Sequence, residues 1–170
     1  DIVEEVTRIF GFDNIKPVLP TSPIRPLHVD EYIRLEHRAR RILAASYGFL
    51  EVHNYGWTND QWTNKLGFDP GATLELLNPV APYEARLRTT LMPNLLALVQ
   101  KNRPFRDSFR VFELGHVYLL KGAVDDQRKP VDSAEKCDER RRLAGLSFIQ
   151  SGVSLDDHYL EIKAAIEDVG

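Results

Sequence analysis

Ser108-Phe109-Arg110-Val111-Phe112-Glu113-Leu114-Gly115-His116-Val117-Tyr118-Leu119-Leu120 is the strongest strand signal in the chain. Val, Phe and Tyr recur through it, and these side chains suit a pleated, half-buried surface. Upstream, Met92 to Lys101 reads as a helix, and Pro93 near its start is tolerated because a first-turn proline has no hydrogen bond to lose. Downstream, charged residues from about Gly122 to Glu139 predict a loop. Leu143 to Ile149 then predicts another strand and His158 to Val169 a final helix. Hairpin-like strands mixed with helices predict an α+β domain built on an antiparallel sheet.

Further upstream the pattern continues. Asp30 to Tyr47 predicts a long amphipathic helix, with Tyr32, Leu35, Ala39, Ile42 and Leu43 on one face and Arg34, Arg38 and Arg41 on another. Gly48 stops it, and Phe49 to Trp57 alternates as a strand. Asp60 to Leu66 suits a short helix, Thr73 to Leu77 a second strand and Arg86 to Thr89 a third. Before all of this, Pro17, Pro20, Pro23 and Pro26 mark residues 12–28 as an extended linker, since each proline fixes its own backbone and restricts its predecessor. The opening residues carry apolar side chains at Ile2, Val3, Val6, Ile9 and Phe10, which is helical spacing closed by Gly11. This helix has no partner element before it and reads as the end of a preceding domain.

Composition narrows the function classes. At 170 residues the chain fits one ordinary domain with a short piece of a second. Hydrophobic residues at 43% and charged ones at 28% permit a real core. No stretch approaches the roughly 20 apolar residues of a membrane span, and no signal-peptide pattern opens the sequence, so a cytoplasmic protein is expected. The net charge of −3 gives no support to strong unspecific nucleic-acid binding. Cys137 is alone, which excludes an internal disulfide, and it reads as a solvent-facing thiol in a charged loop. His28, His37, His53, His116 and His158 show no metal-binding spacing.

Several segments, in order, resemble the beta chain of phenylalanyl-tRNA synthetase. Asp1 through Ile15 is similar to that family's acidic helix, aromatic and glycine turn, and Asn-Ile ending. Leu77-Asn78-Pro79-Val80, Leu87-Arg88-Thr89-Thr90-Leu91-Met92-Pro93-Asn94-Leu95-Leu96 and Arg110-Val111-Phe112-Glu113-Leu114-Gly115 resemble its "LxNP", "LRTSLLPGLL" and "RxFExG" series. Tyr159-Leu160-Glu161-Ile162-Lys163 resembles "FFDLKG", with Glu161 and Ala164 as departures. The resemblance covers nearly the whole chain. It implies a class II aminoacyl-tRNA synthetase-like antiparallel sheet flanked by helices. Residues 1–15 would then be the closing helix of a preceding domain, 16–28 a Pro-rich linker and 29–170 the synthetase-like domain. The helix at 30–47 would correspond to the first class motif, which packs subunits together, and the strand at 108–114 to the second.

Adenylate formation needs positive charge aimed at the ATP phosphate where negative charge grows. Catalytic members place an arginine in a segment resembling Gly-Arg-Val-Tyr-Arg-Asn-Glu. Here Gly115-His116-Val117-Tyr118-Leu119-Leu120-Lys121 puts Leu119 at that place, and a second register puts Glu113 there. Neither side chain binds phosphate. Lys121 is close by but lacks the planar bidentate geometry of arginine. The third class motif is expected beyond Gly170. The implied domain has lost its chemistry.

Asp1, Glu4 and Glu5 line one side of the first helix, being three and four residues apart. Two readings stand. Carboxylate oxygens so gathered suit Mg²⁺, and the resemblance implies a magnesium site shared with the alpha chain. Equally, Asp-x-x-Glu is a capping-box-like start, and acids favour a helix N-terminus through its dipole. The free α-amino group of Asp1 adds positive charge at that spot, so the isolated chain is expected to bind magnesium poorly. The basic runs His37-Arg38-Ala39-Arg40-Arg41 and Glu139-Arg140-Arg141-Arg142 read as a solvated helix face and a charged lead into a strand, since no aromatic platform accompanies them. Trp57 and Trp62 read as core or interface.

The resemblance implies a non-catalytic domain that pairs with the catalytic alpha chain and meets tRNA through the full assembly. Two alternatives remain: a free-standing class II-like ATP-dependent ligase, and a module that forms a homodimer in isolation through the helix at 30–47.

Overall fold

The structure is a computed structural model, and it describes residues 1–24, 26, 29–120, 137–150 and 154–170. His28, Lys121 and most of the expected charged loop at 122–139 therefore lie outside the described residues. The chain divides into two compact units, Asp1–Asp30 and Glu31–Gly170. Among the described residues no helix is long and apolar enough to cross a membrane.

The first unit holds helix α1 (Ile2–Phe10) and a short 3₁₀ turn, Phe12–Asn14. Gly11 ends α1 with φ +89°, a left-handed backbone that glycine adopts without a Cβ penalty. Asn14 then folds back, its amide donating to the Phe10 carbonyl at 2.6 Å. No residue of α1 is buried.

The second unit opens with α2 (Glu31–Arg41), which widens into a π-helical turn at Ile42–Ser46 before Gly48 at φ +67° releases the chain. The expected single helix to Tyr47 is thus an α-helix followed by one wider turn. That turn lets the Leu43 carbonyl accept from the Phe49 amide at 2.9 Å while Leu43 and Phe49 both enter the core.

The sheet has three strands in the order β1 (Leu50–Glu51), β2 (Ser108–Leu120), β3 (Cys137–Ile149). β2 and β3 form an antiparallel ladder over their whole lengths, from Ser108 opposite Ile149 to Leu120 opposite Cys137. β1 runs parallel to β2, with Leu50 opposite Val111. The sheet is therefore mixed, which corrects the purely antiparallel expectation. The first strand is also far shorter than Phe49–Trp57. The backbone of Arg88 inserts beyond it, donating to the Gly56 carbonyl at 3.0 Å and accepting from the Tyr118 amide at 2.9 Å. The expected strands at 73–77 and 86–89 survive only as single bridges, Glu75 with Arg86 and Trp57 with Leu87.

β3 starts at Cys137, six residues earlier than its apolar stretch predicted. Cys137 is accordingly a half-buried strand residue rather than a loop thiol. The polar residues 138–142 are held extended because β2 supplies a full set of ladder partners, and tertiary pairing overrides local propensity.

Helices α3 (Asp60–Lys65), α4 (Met92–Asn102) and α5 (Leu155–Val169) complete the unit. Asn59 caps α3 by accepting from the Trp62 amide at 3.1 Å. Side-chain alternation gives β2 two buried faces. Phe112 and Leu114 meet Leu43, Phe49 and Ala165 in one cluster, which Ile162 and Val169 of α5 border. Glu113 and Gly115 point the other way, toward Leu91 at the head of α4.

Candidate functional site

The feature that sets this fold apart chemically is an ion pair on that second face. Arg88 sits in the inserted extended segment, and its guanidinium reaches back across β2. Nη1 donates to Glu113 Oε1 at 2.7 Å, and Nε donates to the His116 carbonyl at 2.8 Å. Glu113 also accepts from the Asn54 backbone amide at 3.2 Å and from the Asn54 side-chain amide at 2.7 Å. The two charged side chains are 4% and 2% exposed.

Gly115 makes room for this arrangement. A Cβ there would lie 2.4 Å from Arg88 Nη2, 3.0 Å from Glu113 Oε1 and 3.1 Å from Leu91 Cδ2. The glycine in Phe-Glu-Leu-Gly is thus set by the guanidinium that passes over it. Only the resemblance had marked these residues. No local pattern signals that Arg88 and Glu113, 25 positions apart, will pair.

The consequence is electrostatic. Of the two positions read as the place of a catalytic arginine, Glu113 is buried and spends both oxygens on Arg88 and Asn54. Leu119 lies opposite Asp138, one pair from the end of the β2–β3 ladder where the chain passes from β2 to β3, and brings no charge. Arg88 is the buried cation nearby, and it is neutralised within the protein. Buried charges of opposite sign in hydrogen-bonding contact neutralise one another and offer no free field to a phosphate.

A second charged group lies at the surface, where α2 meets β3. Arg141 grips Glu36 through two contacts of 2.7 Å, and Arg40 reaches Glu36 at 3.5 Å and Glu51 at 2.8 Å. The Arg141 hydrogen bonds hold the Glu36 carboxyl below the usual carboxylate range. Arg140 pairs with Asp138, and His116 with Glu139. Members of both basic runs are therefore tied to carboxylates inside the chain. Tyr47 donates to Asp168 at 2.5 Å, which raises the phenol above its ordinary range.

The acidic trio of α1 does not converge. Glu5 is held by Arg8 at 2.5 and 3.1 Å, and Glu4 lies 4.0 Å from the terminal ammonium. Asp1 occupies the cap position of α1 without a side-chain capping bond. Among the described residues, no three His, Cys, Asp or Glu side chains gather where a metal could sit. The oxygen donors have the right chemistry for magnesium, and in this arrangement Glu5 is engaged by Arg8.

Trp62 donates from Nε1 to the Pro93 carbonyl at 2.8 Å, tying α3 to α4. Trp57 stacks on Tyr55, with ring centroids 4.5 Å apart and planes 7° apart. This aromatic pair went unread in the sequence, although Tyr55-x-Trp57 has the two-residue spacing that puts side chains on one face.

Two solved structures of pyrrolysyl-tRNA synthetase from Desulfitobacterium hafniense share this architecture. One superposes with a TM-score of 0.57 at 21% identity, over 81% of this chain and 45% of that one. The other gives 0.53 at 19% identity with the same coverage. The fold is therefore of the class II synthetase-like kind, with a small mixed sheet. The family model for the phenylalanyl tRNA synthetase beta chain CLM domain matches residues 15–169, and the chain belongs to that family. Among its relatives, the phenylalanine–tRNA ligase beta subunit of Bifidobacterium longum is 34% identical over 98% of this chain and 21% of that subunit. That of Solibacter usitatus is 33% identical over 68% of this chain and 15% of that subunit. The chain thus spans about a fifth or less of the beta subunits it matches.

Proposed function

We propose that this chain is a non-catalytic, synthetase-like domain of a phenylalanine–tRNA ligase beta subunit, pairing with the catalytic alpha chain in tRNA(Phe) aminoacylation. The observation that carries the reading is the buried Arg88–Glu113 pair, in which a carboxylate takes up the arginine's charge, so that none is offered to a phosphate. The ordered family motifs support the choice of partner. The tRNA is charged through the full assembly, and the neutralised Arg88 disfavours the free-standing ligase. The family match gives self-association no support.

Two finer readings belong to the same proposal. Residues 1–15 close a preceding domain, 16–28 link, and 29–170 form the synthetase-like domain; only the last of these boundaries falls near the break after Asp30. Asp1, Glu4 and Glu5 contribute to a magnesium site shared with the alpha chain, and forming it requires Glu5 to leave Arg8. Calorimetric titration of the isolated chain with Mg²⁺ is expected to show no tight binding, and a micromolar isotherm would overturn this.

Size-exclusion chromatography with light scattering, on the chain mixed with a cognate alpha subunit, tests the partner. Co-elution at the summed mass is expected. Separate elution here, where the full-length beta subunit does associate, would contradict an alpha-chain interface within these residues.

A further inference from the structure

A cleft of about 300 Å³ opens between α3, α4 and the segment that carries the Tyr55–Trp57 stack. We propose that it binds an unpaired nucleotide, the base laid on the open face of Tyr55 and the phosphate met by Lys65 and Lys101. This goes beyond the partner-subunit reading and does not rest on it.

The walls of the cleft are fixed before any ligand arrives. Asn94 of α4 donates to the Tyr55 and Trp57 carbonyls at 3.2 and 3.1 Å, which pins the backbone under both rings. Trp62 is anchored to Pro93, and Asn59 both caps α3 and donates to Glu84 at 3.2 Å. Trp57 is half-buried while Tyr55, stacked on it, is 72% exposed, so the free π-face of the pair belongs to Tyr55. A flat base would extend that stack. Stacking on aromatic side chains is sequence-tolerant because every base has a π-face.

The rest of the lining suits the remainder of a nucleotide. Gln61 and Gln100 are exposed amides at the cleft, able to pair with donors and acceptors of a base edge. Lys65 and Lys101 stand in the last turns of α3 and α4, where the helix dipoles favour cations. Both are exposed, and neither has an ion-pair partner among the described residues. The one lining carboxylate, Glu84, is turned to Asn59. The lining sets apolar surface from Ala97, Leu98 and the indoles beside amides and two ammonium groups, a mixture that suits a flat base with an attached phosphate.

Trp57 and Trp62 are the only tryptophans and both line the cleft, so intrinsic fluorescence reports on it directly. The 170-residue chain would be titrated with a six-nucleotide single-stranded RNA of mixed sequence, and separately with AMP. A saturable change is expected. Tyr55→Ala should weaken it roughly 5- to 150-fold, the range for loss of one stacked base, while Tyr55→Phe should retain it. Joint Lys65→Ala and Lys101→Ala replacement should weaken binding and flatten the salt dependence by roughly 0.7 in logarithmic slope per lost phosphate contact. Circular dichroism confirms that the variants fold. RNA binding alone would identify a nucleic-acid strand as the source, and equal AMP binding a free nucleotide; either outcome supports the site. No saturable change with either probe, or one that survives Tyr55→Ala, would overturn it. So would a signal elicited only by the alpha chain, which would assign the cleft to a protein contact. Failure here leaves alpha-chain association untouched.

Discussion

Arg88–Glu113 and the Glu36–Arg40–Arg141 cluster are built from the same two chemistries, one fully buried and the other partly open to solvent. The first pair is 4% and 2% exposed, whereas Arg141 and Glu36 are 44% and 21% exposed. Burial changes what each charge is worth. A buried pair gains little net stability over apolar residues, yet losing one partner strands the other in a medium that cannot solvate it. A surface pair loses one partner to water at small cost. In this chain the inner pair fixes how β2, the Arg88 segment and Asn54 meet, while the outer cluster fastens α2 to the edge strand β3.

The contrast can be broken most sharply at Glu113. Glu113→Ala leaves Arg88 buried and unpaired, and should cost about 3–5 kcal/mol in a urea unfolding measurement. A loss under 1 kcal/mol would mean that water reaches the guanidinium. Gly115→Ala comes next. Its methyl must displace the guanidinium, the Glu113 carboxylate or Leu91, at a cost of about 1–3 kcal/mol, the usual range for overpacking.

The outer cluster should respond weakly. Glu36→Gln is expected to cost about 1 kcal/mol or less, and the difference from the parent should shrink as salt rises toward 1 M. Its pH signature follows from the lowered Glu36 pKa, caused first by the Arg141 hydrogen bonds. A depressed native pKa gives stability that is fully present above the ordinary glutamate value, about 4.3. That contribution drains away as pH falls through the lowered native value. The parent minus Glu36→Gln difference should therefore be flat near neutrality and decline in acid. A difference that grows in acid would contradict the assignment.

The same contrast explains what could be read from sequence. β2 and α4 were legible because their determinants are local: recurring Val, Phe and Tyr residues, and a proline at a helix start. β3 was read six residues too short because Asp138, Glu139 and three arginines follow Cys137. Glu139, Arg140 and Arg141 find their partners across the ladder, within the strand itself and on α2 respectively. β1 shrank to two residues because the competitor for its hydrogen bonds, Arg88, lies far away in sequence. The acidic helix was legible as a stripe of carboxylates, but the rotamer that commits Glu5 to Arg8 was not. Resemblance pointed to Arg88, Glu113 and Gly115 without saying that they form one device.

The most direct test of the non-catalytic reading removes both inner charges at once. Arg88→Met with Glu113→Leu would be placed in the full beta subunit, assembled with its alpha partner, and phenylalanine charging of tRNA would be measured. Replacing both partners by apolar residues of similar size should largely restore the stability that either single change loses. Charging near the parental rate is the predicted result. A folded, assembled enzyme that no longer charges tRNA would contradict it, and would make Arg88 a participant in the chemistry.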